Sequence, residues 1–116
     1  MQGLTGWRAM LAAAALYNLV IGLAALHTPG ASVDARIVGL LVACFGAVYA
    51  LTARDPLRFA PLLWVGVVGK LGVIALVWPQ VQAGTAAPGT GSVLAGDALF
   101  TLGFLAFLLW VQRASR

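Results

Sequence analysis

Residues 64–78 read WVGVVGKLGVIALVW, a stretch as apolar as a membrane span, with Lys70, the only lysine in the chain, at its centre. A charged side chain in hydrocarbon costs about 2.5–3.5 kcal/mol on insertion scales, so it is kept only when paired, hydrated or able to reach the interface. Whether this segment crosses a bilayer decides the fold class, and the rest of the chain answers it. The 116 residues are 62% hydrophobic and 9% charged, with a mean hydropathy of +1.00. A soluble domain carries about a quarter charged residues. So short a chain cannot bury this much apolar surface in a water-soluble core, so its solvent is lipid and its length allows one domain.

Four runs approach the roughly 20 apolar residues that a spanning helix needs. They cover about residues 7–26, 35–53, 59–78 and 92–111 of a single transmembrane domain, 1–116. HTPGAS after the first run and RDP at 54–56 carry helix-stopping residues, and Pro56 suits the start of the next helix. PQVQAGTAAPGTGS, from Pro79 to Ser92, reads as an uncharged loop. The first run is longer than a signal-peptide core, and no small-x-small cleavage site follows it. The expected architecture is an all-α, integral membrane four-helix up-down bundle.

Basic residues set the expected topology. With the N-terminus inside, Arg8, Arg54, Arg58, Arg113 and Arg116 all face the cytoplasm, and only Arg36 lies outside. This predicts a multi-pass protein of a bacterial inner membrane, with both termini cytoplasmic. Trp7, Trp78 and Trp110 fall at span ends, where indole favours the headgroup region. The net charge of +4 does not point to nucleic acid, because the arginines cap apolar runs and form no face.

Small residues recur at helical spacing. Ala15, Asn18, Gly22 and Ala25 mark one stripe, and Gly39, Ala43, Gly46 and Ala50 another. Gly66, Gly69 and Gly72 lie in the third span, and Gly96 and Gly103 interrupt a bulkier fourth with Phe100, Phe104 and Phe107. Such stripes let membrane helices pack closely.

Asp97, in the fourth run, is the only acid predicted within a span. If Trp78 ends the third helix, Lys70 and Asp97 lie at similar depths from the exoplasmic side, and an ion pair between them, direct or water-bridged, is expected. Asn18 beside Tyr17, Thr101 one turn from Asp97, and His27 and Arg36 at the rim complete a candidate pocket between the first, third and fourth helices. Each has a plainer reading: the pair as a clasp between helices, Asn18 as interhelical glue, His27 as part of a turn, Arg36 as a headgroup anchor. Cys44 is expected to be a small, inert packing residue, because apolar burial suppresses the thiolate.

No catalytic set is present, and GVVGKLG at 66–72 lacks the Walker spacing and the Ser/Thr after Lys. One histidine, one cysteine and no glutamate count against a protein-built metal site. The expectation is a non-enzyme without cofactor. It binds a small ligand or lipid (a quinone among the possibilities) or serves as an accessory subunit of a membrane complex, with a homo-oligomer as a possible assembly. An oligomeric small transporter or channel using Lys70 and Asp97 is the alternative, and a redox or haem-linked subunit using His27 a third reading.

The first span ending IGLAALHTPG, the second opening RIVGLL and the RDP turn together resemble small bacterial four-helix membrane proteins of the DoxX-like kind. The likeness is one of pattern and runs over nearly the whole chain. It implies a four-helix bundle; some members are linked to quinone-coupled sulfur redox complexes, and no functional residue carries over. Small multidrug transporters place a glutamate in their first span, which this chain lacks. Against the Asn/Gly pattern and phenylalanine box of fluoride channels, YNLVIG at 17–22 is a faint echo.

Overall fold

The computed structural model describes residues 3–114; Arg116 lies outside them. The described chain is all-α. Helices α1 (Leu4–Leu26), α2 (Val33–Arg54), α4 (Leu62–Ala83) and α5 (Thr90–Ala114) are long, and α3 (Pro56–Phe59) is a single turn. The four long helices run 22–25 residues, and each is long and apolar enough to cross a membrane. At 1.5 Å per residue the shortest reaches about 33 Å, against a hydrocarbon core of about 30 Å. The set is compatible with the expected four-helix bundle.

The chain divides into two compact units, Met1–Ala60 and Pro61–Arg116. The first is an antiparallel pair, α1 against α2, whose seam follows the predicted small-residue stripes. Leu11, Ala14, Ala15, Asn18 and Gly22 are buried on α1, and Gly39, Ala43, Gly46, Tyr49 and Thr52 on α2. Contact is backbone to backbone. A β-carbon added to Gly39 would lie 2.7 Å from both Gly22 O and Leu26 N, and one on Gly46 would lie 3.0 Å from Leu19 N and 3.1 Å from Ala15 O.

Local chemistry sets the helix ends. Ser32 caps α2, its Oγ accepting from Ala35 N at 3.1 Å, with Asp34 in the first turn. This satisfies an otherwise orphaned donor and favours negative charge at the helix start. At the other end of the unit, Arg8 Nη2 donates to Arg54 O at 3.4 Å. Pro56 opens α3. Pro61, which has no N–H to extend that turn, stands at the N-cap of α4.

The second unit pairs α4 with α5. Leu63, Gly66, Val67 and Lys70 form the buried stripe of α4, and Leu94, Thr101, Phe104, Phe107 and Leu108 that of α5. Three expectations are corrected here. Helix α4 does not stop before Pro79 but runs through it to Ala83. A proline removes its own donor and crowds the carbonyl four residues back, but later residues can continue the ladder. The stop is Gly84, whose φ of 75° ends the helix with Gly84 N donating to Val81 O and Thr85 N to Gln80 O, a Schellman arrangement. Gly69 and Gly72 line no close contact, since nothing lies within 4 Å of a β-carbon built on either. Cys44 is exposed on α2 rather than packed.

Candidate functional site

The longer α4 places Lys70 eight residues after Leu62 and thirteen before Ala83. The depth reckoned from Trp78 is therefore replaced: Lys70 is near mid-helix, slightly closer to Leu62. Its position on the Leu63–Val67–Lys70 stripe keeps it inward, and only 6% of it is exposed. Asp97 stands on α5 with its side chain 13% exposed, and Lys70 Nζ donates to Asp97 Oδ1 at 2.7 Å. Of the two forms expected from the sequence, the direct pair is the one formed.

Two more groups belong to this cluster. Lys70 Nζ lies 5.9 Å from the centre of the Phe100 ring, within range of a cation–π attraction. Phe100 is one turn from Asp97 on the same helix, so one face of α5 offers the cation both a carboxylate and a ring face. Thr101 is buried, and its Oγ1 donates to Asp97 O at 2.7 Å. That bond occupies the hydroxyl proton on its own helix and makes Thr101 a local brace. Within such apolar surroundings an unanswered ammonium is costly, and Asp97 with Phe100 supplies the answer.

Asp97 does not spend all its acceptor capacity. Among the described residues, only Lys70 donates to its carboxylate, and that bond goes to Oδ1. The Asp97 side chain keeps some exposure, and among the described residues no buried side-chain oxygen or nitrogen lacks a partner.

The other sequence-predicted residues belong to the first unit. Asn18 Nδ2 donates across the helix pair to Val42 O at 3.2 Å, as interhelical glue does. Tyr17, beside it, is half-buried. His27 Nδ1 lies 2.8 Å from Leu23 O, a contact in which the ring nitrogen must donate. Thr28 Oγ1 donates to Ala24 O at 2.8 Å, and Arg36 Nε to Leu26 O at 3.1 Å. The Thr28 and Arg36 side chains satisfy carbonyls near the end of α1, whereas Leu23 O also accepts from His27 N at 3.1 Å. Arg36 is therefore more than a headgroup anchor, since it caps the preceding helix. The sequence offered only a weak signal for this, a basic residue ten positions beyond the last carbonyl of a helix. Phe100 was read as bulk; its i, i+3 spacing from Asp97 was the available clue.

Comparison with protein-family models, curated proteins and solved structures finds no match for this chain.

Proposed function

We propose that this chain is a non-enzymatic, multi-pass protein of a bacterial inner membrane that binds a small ligand or lipid through the Lys70–Asp97 pair, alone or as an accessory subunit of a membrane complex. The observation that carries the reading is an ion pair of 2.7 Å on an apolar helix, with Lys70 buried and the Asp97 side chain still 13% exposed. An ionised carboxylate in apolar surroundings is a strong acceptor. A ligand bringing a hydroxyl or amide N–H and an apolar body would satisfy it without disturbing Lys70. Four long apolar helices support membrane residence, and the placement of arginines supports cytoplasmic termini. The DoxX-like layout agrees with a small bundle protein of this kind.

The test is mass spectrometry of small molecules and lipids that co-purify with the wild-type chain and with Asp97→Asn, which preserves shape and removes the charge. A defined species at about one per chain, lost in Asp97→Asn, supports the proposal. An empty wild-type protein overturns it, and liposome flux that depends on Lys70 or Asp97 would select the transporter alternative.

A further inference from the structure

The first unit carries an open groove of about 210 Å³ lined by Leu26, Val33, Arg36, Ile37 and Leu40. Its walls are aliphatic apart from one guanidinium. The groove begins at the first residue of α2, Val33, and follows the helix to Leu40, about 10 Å along the axis. It thus runs from a helix end toward the middle of a span, with its only charge in the half nearer the end. That is the outline of an amphiphile, with its polar group at the rim and its tail along the helix.

The charge specifies the polar group. Arg36 Nε is tied to Leu26 O at 3.1 Å, which fixes the guanidinium at the groove and leaves both Nη groups to donate. Among the described residues no carboxylate pairs with Arg36. Asp34, the acid nearest in sequence, is two positions earlier on the helix and so roughly 200° around it. Arg36 is also the only lysine or arginine between Arg8 and Arg54. Guanidinium donors match phosphate oxygens in geometry and charge. In a bilayer an acyl chain gains little by leaving other acyl chains, so the headgroup has to decide occupancy.

We infer that this groove holds one phospholipid with a net anionic headgroup, its phosphate on the Arg36 guanidinium and an acyl chain along Val33, Ile37 and Leu40. The site is separate from the Lys70–Asp97 pair and rests on the reading of these helices as membrane spans.

The full chain is reconstituted in nanodiscs containing equimolar phosphatidylglycerol and phosphatidylcholine, extracted mildly, and the retained lipid identified by native mass spectrometry. Wild type is expected to retain about one phosphatidylglycerol per chain. Arg36→Gln should lower that retention roughly tenfold, the loss of a charge-assisted hydrogen bond. Leu40→Trp, which fills the groove and leaves the α1 cap intact, should lower it comparably and keeps the test decisive if Arg36→Gln folds poorly. Arg58→Gln and Asp97→Asn should retain it. Equal retention in wild type and Leu40→Trp, or equal loss in Arg58→Gln, overturns the site, the latter revealing diffuse charge attraction. Equal loss in Asp97→Asn would move the lipid to the ion pair and overturn it as well. Flotation with vesicles is read in parallel. A chain that does not float refutes membrane residence, whereas one that floats but retains both lipids equally refutes the groove alone.

Discussion

Replacing glycine by alanine at positions 22 and 69 should move stability in opposite directions. A β-carbon on Gly22 would meet Ala43 N, with Gly39 O at 2.6 Å and Ala43 Cα at 2.9 Å. All three are backbone atoms and cannot rotate away. Ordinary contact begins near 3.4 Å, so α1 and α2 must separate locally by about 1 Å, and contacts along the seam weaken steeply with such a gap. Overpacking of this kind costs about 1–3 kcal/mol, and the immobile obstacle favours the upper end. The better helix propensity of alanine returns about 1 kcal/mol. A net loss of about 2 kcal/mol is expected for Gly22→Ala. At Gly69 the added methyl meets nothing within 4 Å, so only the propensity gain remains, about 0.5–1 kcal/mol of stabilisation. Thermal unfolding of both variants in one detergent, followed by circular dichroism, reads the two signs side by side. A Gly22→Ala protein as stable as wild type would refute the close-contact reasoning, as would a Gly69→Ala protein destabilised to the same extent.

Other outcomes test separate parts of the account. Cys44, exposed near the middle of α2, should resist a membrane-impermeant maleimide in intact membranes and react after solubilisation in sodium dodecyl sulfate. Rapid labelling in the membrane would place that face in water. Asn18→Leu should cost about 0.6 kcal/mol, the usual worth of one interhelical hydrogen bond in a bilayer, measured by the same thermal assay; a loss above about 2 kcal/mol would assign Asn18 more than its bond to Val42 O. Gly84→Ala should destabilise by roughly 1 kcal/mol, because its φ of 75° strains any residue with a β-carbon. A neutral Gly84→Ala in that assay would mean that the end of α4 is not held in this conformation.

The four long helices were legible because each is a long apolar run bounded by breakers, and the α1–α2 seam because Gly22, Gly39, Ala43 and Gly46 fall at helical spacing. Lys70 and Asp97 were legible as partners because each is a solitary charge inside such a run. Much of the rest was hidden by the same property. A helix that is apolar on every side gives no periodic signal about which face is inward, so Cys44 was placed inside, and Gly69 and Gly72 at a contact they do not make. Pro79 was read as a stop because proline is judged by the bond it removes, whereas Gly84 supplies the stronger termination five residues later. The cap that Arg36 places on α1 depends on how the 27–32 turn folds back, which no local pattern encodes.

The central claim is that Lys70 stays in an apolar helix because Asp97 answers it. A double-mutant cycle on thermal stability in detergent, with Lys70→Met, Asp97→Leu and the pair together, tests it most directly. Each single change strands one charge and should cost on the order of 3 kcal/mol, and the double should recover most of the loss. Near-neutral single variants, or losses that simply add, would contradict the claim and show that the two charges do not hold each other.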